Sequence, residues 1–284
     1  MDNKTRYSEY LKNKASIWSS RFIWHGVNGL AHYRTCNIIN FITSENIDFN
    51  NIINPEKYKV TTLWKDVEKL AKRYVAWCGK TTPAIYNTIF SKEETEQSLE
   101  NHFIGSMGEF FFCFLLNSMK SFDLSYDVGE YAKTEFNFSN VTPRLENEDD
   151  FGVDLVGDVE YKNKTNSCAL QVKFWNPGLS NSKSKENIPM FTNEMASGVF
   201  TDAVLNGFIN PDSFKSIFVC WTMKDKNVSM WLKRNARLNM RMSYIDMDVL
   251  HTKIDNKVLM FWKSLADELN SIKSYINLSK NDEC

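Results

Sequence analysis

Three short stretches of the chain carry residue types suited to metal-assisted hydrolysis of a phosphodiester. Asp154 stands in FGVDLVG, Gln171 and Lys173 stand in ALQVKFW, and Glu109 stands in GSMGEFFF. Such hydrolysis needs a divalent cation to activate water and to neutralise charge on the scissile phosphate. Magnesium takes hard oxygen ligands, typically one or two carboxylates completed by water and phosphate oxygens. A nearby ammonium group orients or deprotonates the water, or stabilises the charge that develops.

The spacing supports convergence. Read as a strand, FGVDLVG turns Val153 and Leu155 one way and Asp154 the other. In ALQVKFW, Gln171 and Lys173 project together, while Leu170, Val172 and Phe174 face the opposite side. The polar run KNKTNS between the two segments is of turn length, so they can pair as a hairpin and bring Asp154 to Gln171 and Lys173. Glu109 is the only charged residue between His102 and Lys120. A lone buried carboxylate is costly unless it is paired or binds a metal. A helix-surface position or a lysine partner would serve Glu109 equally well, although Phe110, Phe111, Phe112 and Phe114 crowd it with apolar neighbours.

The order of these elements, a helix with Glu, a strand with Asp, a strand with QxK, a helix and a further strand, resembles the restriction-endonuclease-like, or PD-(D/E)XK, superfamily. The stretch DDFGVDLVG…LQVKFW is similar to Mrr-type restriction enzymes in particular, and GxxGE at 105–109 resembles the first-helix acid of the same superfamily. The resemblance covers roughly residues 100–225. It implies that Asp154 is the metal-binding acid, Gln171 the second ligand, Lys173 the catalytic lysine and Glu109 the helix acid. The backbone carbonyl of Val172 would be a further ligand, and the cation would be Mg2+, with Mn2+ able to substitute. Gln171 departs from the Glu or Asp of most members. Its neutral amide oxygen binds magnesium more weakly, so the site would lean on Glu109 and Asp154. Asp149 and Asp150 read as turn residues before the strand, with a metal role as the alternative.

The expected activity is therefore that of a magnesium-dependent DNA endonuclease in bacterial restriction or anti-phage defence. Cutting two strands usually takes two sites, which implies a homodimer, or else a subunit of a defence complex. Two other readings stay open: the end-cleaving endonuclease subunit of a heteromeric transposase, and a catalytically silent scaffold of the same fold that binds DNA or protein.

The elements that would position these residues can be read from periodicity. LWKDVEKLAKRYVAWC places Leu63, Val67, Leu70, Tyr74 and Trp77 on one helical face. Ser91 followed by Glu94 predicts a capping box opening the next helix, which Gly105 and Gly108 would divide in two. SFDLSYDV and TEFNFSNV alternate with the strand period, and SIFVCWTM reads as a short buried strand. A helix is expected over NEMASGVFTDAVLNGF, closed by Asn210 and Pro211. Val258, Phe261, Trp262, Leu265, Leu269, Ile272 and Ile276 mark a C-terminal amphipathic helix. The expected architecture is α/β: a helical extension over 1–95 for recognition or dimerisation, then a nuclease core over 96–225. That core comprises a helix, a three-stranded meander, a helix and a strand. A basic and amphipathic helical region over 226–284 would pack on it.

Charge is unevenly spread in a chain of 284 residues with net charge −1. Glu130–Glu160 holds nine acids against two bases, and Lys224–Arg241 holds six bases against one acid. An acidic segment beside a basic one fits a metal site next to a phosphate-binding surface; two solvated faces would look the same. In WLKRNARLNMR, Lys233, Arg237 and Arg241 recur every four residues and would form one stripe flanked by Arg234, able to follow a DNA backbone. Lys183 and Lys185, after the QxK strand, are candidates for the same task. Trp221 and Trp231 read as core rather than as stacking platforms. The six scattered cysteines read as buried free thiols in a reducing cytoplasm, and neither they nor the four histidines show zinc-ligand spacing. With no long apolar run and no signal-like start, the expectation is a cytoplasmic protein without a membrane partner.

Overall fold

The computed structural model describes residues 38–86, 91–119, 121–124, 134–143, 153–177, 199–210, 212, 216–222, 242–245 and 259–281. The described elements form a mixed α/β protein whose chain divides into two compact units.

The first unit is helical and takes residues 1–58, 65–107 and 258–284. Its helices are α1 (Ile38–Ser44), α2 (Val60–Thr81) from Lys65 onward, the first part of α3 (Lys92–Ser118) and α5 (Leu259–Asn281). The predicted face of α2 is the buried one: Leu63, Val67, Leu70 and Tyr74 are in the core, and Trp77, the last residue of that face, is half-buried. Phe41 of α1, Tyr74 of α2 and Phe103 of α3 meet with ring centroids 5.3–5.9 Å apart. The C-terminal helix α5 joins this unit, burying Phe261, Trp262, Leu265 and Leu269. Its Asn270 accepts the Phe49 N–H and donates to Asp48.

The capping box at the start of α3 is present in both directions. The Ser91 N–H donates to Glu94 Oε2 at 2.8 Å, and the Glu94 N–H donates to Ser91 Oγ at 3.2 Å. These bonds hold the Glu94 carboxyl below its usual range. Gly105 and Gly108 do not divide the helix, which runs unbroken from Lys92 to Ser118. Ordinary intrahelical bonding carries it across both glycines.

The second unit takes residues 59–64 and 108–257 and is built on one six-stranded sheet in the order β1-β2-β3-β4-β5-β6. The strands are β1 (Ser121–Leu124), β2 (Thr134–Pro143), β3 (Leu155–Tyr161), β4 (Lys164–Lys173), β5 (Ile217–Trp221) and β6 (Met242–Ile245). The first four pair antiparallel, and β4-β5-β6 pair parallel. The meander therefore has four strands rather than the three expected. The stretch 242–245, expected within a helical region, is a strand that completes the pairing edge left by β5. The β3–β4 turn is also shorter than KNKTNS. Only Lys162 and Asn163 turn, both with positive φ (49° and 61°), which gives the twist that a two-residue hairpin needs. Lys164 already belongs to β4.

Within the described residues α4 (Phe200–Leu205) precedes β5; residues 193–198 of the expected helix lie outside them. It ends at Leu205, ahead of the predicted stop at Asn210 and Pro211, with Gly207 (φ +70°) in the turn beyond it and the Phe208 N–H turning back to the Ala203 carbonyl at 2.8 Å. Ala203 and Val199 bury against Val153, Ala169, Ile217, Val219 and Trp221. Phe136, Phe138 and Phe218 form a second aromatic group in the sheet core, and Phe174 meets Phe111 of α3 with centroids 5.9 Å apart. SIFVCWTM is the fully buried strand expected of it, since every residue of β5 is inaccessible.

Candidate metal and phosphodiester site

Asp154 lies one residue ahead of β3 rather than inside it. The β3–β4 ladder runs in register to the pair Leu155↔Leu170, so the next step sets Asp154 across from Gln171. The Asp154 N–H still donates to the Leu170 carbonyl at 2.9 Å. The Val172 N–H then donates to the carboxylate of Asp154, at 2.6 Å from Oδ2. A side chain thus takes the place of a main-chain acceptor, through a short charge-assisted bond. Asp154 is 9% exposed, and its negative charge joins burial in pushing the Cys220 thiol well above its ordinary range.

Gln171 sits on β4 between the rows of β3 and β5, paired with Val219. It is 6% exposed, and its Oε1 has no hydrogen-bond partner among the described residues. Leaving an amide oxygen buried and unpaired costs about 1–3 kcal/mol. An acceptor atom kept there at that cost, across from a carboxylate, suits a cation.

Lys173 ends β4 and is half-buried beside Trp221, its partner in β5. The strand's exit is tied down by Thr222, whose N–H donates to the Lys173 carbonyl at 3.3 Å and whose Oγ1 donates to the Trp175 carbonyl at 2.6 Å. Val172, the predicted carbonyl ligand, lies between Gln171 and Lys173 and is buried. The prediction that Gln171 and Lys173 share one face of a strand follows from their places in β4.

Glu109 is half-buried on α3, one residue after Gly108. A Cβ built on Gly108 would fall 2.1 Å from Phe174 Cβ and 2.6 Å from its Cγ. The helix backbone therefore rests directly on the residue that follows Lys173. Glycine is required by this close approach, and the same approach places the helical turn bearing Glu109 beside the end of β4. The motif GxxGE thus records a packing contact as well as a carboxylate.

Sequence reasoning missed the residues that hold α3 to the other end of the sheet. Asn117 donates to the Val141 carbonyl at 2.7 Å and accepts the Val141 N–H at 3.0 Å, and Cys113 Sγ donates to the same carbonyl at 3.1 Å. The available signal was a polar Asn closing the apolar run FFFCFLLN.

Among the described residues no group of three or more His, Cys, Asp and Glu could hold a metal. The candidate donors are two carboxylates, Glu109 and Asp154, with the Gln171 amide oxygen and the Val172 carbonyl. Asp149, Asp150, Lys183, Lys185, Lys233, Arg234, Arg237 and Arg241 lie outside the described residues. Cys78, Cys113, Cys168 and Cys220 are buried free thiols, as expected; Cys36 and Cys284 lie outside the described residues. No described helix is long and apolar enough to cross a membrane. No protein-family model, curated protein or solved structure matches the chain.

Proposed function

We propose that this chain is a magnesium-dependent endonuclease of the restriction-endonuclease-like fold, cleaving DNA in a bacterial restriction or anti-phage defence system. The observation that carries the reading is the buried, unpartnered Oε1 of Gln171 across from the Asp154 carboxylate. The element order supports it: a helix bearing Glu109, antiparallel strands leading to Asp154 and the QxK strand, a helix, and a parallel strand.

The donor set fits a hard cation, since all four atoms are oxygens. Glu109, Asp154, Gln171 and the Val172 carbonyl would hold it, and Mg2+ bound there would supply water activation and neutralisation of phosphate charge. Lys173, held at the strand end by the Thr222 contacts, orients the attacking water or stabilises charge on the phosphate. The basic segment Lys224–Arg241 and Lys183 and Lys185 supply phosphate contacts along the DNA. Two copies would address the two strands.

A catalytically silent scaffold is the alternative, favoured by one contact: the Asp154 carboxylate already serves the sheet through Val172. Cleavage of plasmid and phage DNA, methylated and unmethylated, with Mg2+ or Mn2+ separates the two. The nuclease reading expects wild-type cleavage and a loss of about 10²–10⁴-fold in Lys173→Ala. DNA binding without cleavage, unchanged by Lys173→Ala, would establish the scaffold instead.

A further inference from the structure

Glu109, Cys113 and Asn117 recur every four residues and form one stripe along α3. The lower two positions of that stripe hold a single residue of the sheet, Val141. Val141 lies in an irregularity of β2. Between the pairs Ser139↔Asp158 and Thr142↔Val156, Asn140 and Val141 stand opposite Gly157 alone. Asn140 takes φ 55°, and a Cβ on Gly157 would come within 2.9 Å of Val141 Cα. Such a bulge takes its extra residue out of the ladder. The main-chain N–H and C=O of Val141 are instead satisfied by the two ends of one amide, that of Asn117. Asn117 Nδ2 also donates to the Cys113 carbonyl at 3.0 Å, which pins its own orientation.

Two of the contacts that hold α3 in this unit, Gly108 on Phe174 and Asn117 on Val141, lie roughly 13 Å apart along the helix axis. A contact at one end alone would let the helix roll or slide. A donor–acceptor pair fixed on both polar groups of one residue sets rotation and axial position together. We infer that Asn117 is a positioning residue for Glu109, locking α3 onto the β2 bulge so that the Glu109 carboxylate is held at the site of Asp154 and Gln171. This rests on the metal-site reading given above.

The test is Mn2+ affinity, measured by electron paramagnetic resonance of free Mn2+, in a cycle of wild type, Asn117→Ala, Glu109→Gln and the double variant, with urea denaturation run in parallel. Supporting groups around metal ligands are worth about 10–100-fold in affinity. Asn117→Ala is expected to weaken Mn2+ binding by about tenfold or more in the wild-type background, and to change it little once Glu109 is Gln. Equal loss in both backgrounds, or no loss in either, overturns the inference and leaves Asn117 a purely structural clamp. Absence of Mn2+ binding by the wild type overturns the metal-site reading itself, and this inference with it. Should Asn117→Ala fail to fold, Asn117→Asp carries the cycle: it keeps the acceptor for the Val141 N–H, loses the donor to the Val141 and Cys113 carbonyls and sets a negative charge against them, and the same dependence on Glu109 is expected.

Discussion

The Asp154 carboxylate accepts the Val172 N–H at 2.6 Å, where the ladder would otherwise offer a main-chain carbonyl. One side chain thus closes the hairpin and supplies a candidate metal ligand. Substitutions at Asp154 separate the two roles. Asp154→Ala leaves a buried N–H without its acceptor and is expected to lower unfolding free energy by about 1–3 kcal/mol, as well as abolishing Mn2+ binding. Asp154→Asn keeps an acceptor oxygen and should lose most of the binding at a smaller stability cost. Urea denaturation beside Mn2+ titration reads both. Equal stability of the two variants would remove the structural role.

Gly105 and Gly108 lie on the same helix and should respond oppositely to alanine. Among the described residues nothing lies within 4 Å of a Cβ on Gly105, so Gly105→Ala gains helix propensity, about 0.5–1 kcal/mol. At Gly108 the same gain is opposed by Phe174 at 2.1 Å, and overpacking of this kind costs about 1–3 kcal/mol or more. Gly108→Ala is expected to destabilise and to displace Glu109, weakening Mn2+ affinity. Thermal melts of the two variants provide the check, and a stabilised Gly108→Ala would disprove the close approach.

Gln171 should show a trade between stability and binding. Replacing its unpaired amide by Leu removes an unsatisfied acceptor and is expected to be neutral or to stabilise by about 1 kcal/mol, while Mn2+ binding disappears. Gln171→Glu brings a second carboxylate across from Asp154. It should destabilise the metal-free protein through like-charge repulsion and tighten Mn2+ binding. Calorimetric melts with and without Mn2+ would show the sign of each effect.

Cys168 and Cys220 are inaccessible, and burial, reinforced by nearby negative charge from Asp158 and Asp154 respectively, drives both thiols far above their ordinary range. The thiolate is the reactive form, so neither should react with a thiol reagent at roughly pH 8 while the protein is folded. Mass spectrometry of alkylated peptides, native against urea-unfolded, tests this. Rapid native labelling of either would contradict its burial.

The Glu94 carboxyl is held below its ordinary range by the Ser91 N–H and hydroxyl. A carboxylate depressed in the folded state contributes stability that is complete above its unfolded pKa and is lost as pH falls through the folded value. Glu94→Gln, which removes the titrating carboxylate, should therefore be less stable than wild type near neutrality. The gap between wild type and variant should narrow between roughly pH 5 and roughly pH 3. Melting curves across that range give the measurement, and a gap that widens on acidification would reverse the sign.

What the sequence alone determined was local. The helical face of α2, the capping box of α3, the alternation of β2 and the fully apolar β5 all follow from periodicity and cap chemistry within a few residues. Gln171 and Lys173 were bound to share a face once β4 was a strand. The tertiary structure decided what depends on partners distant in the chain. The β3–β4 register stopped the strand at Leu155 and turned Asp154 into a substitute for a main-chain acceptor. The free edge of β5 made a strand of Met242–Ile245, a stretch expected within the helical region that follows the basic stripe. Phe174, far along the chain from Gly108, made that glycine a packing requirement rather than a helix breaker. Asn117 found the unpaired main chain of Val141 only because a bulge opposite Gly157 left it available. Local periodicity encodes which face an element buries. The atom that face meets is settled by long-range packing, and in this protein those meetings place the candidate ligands.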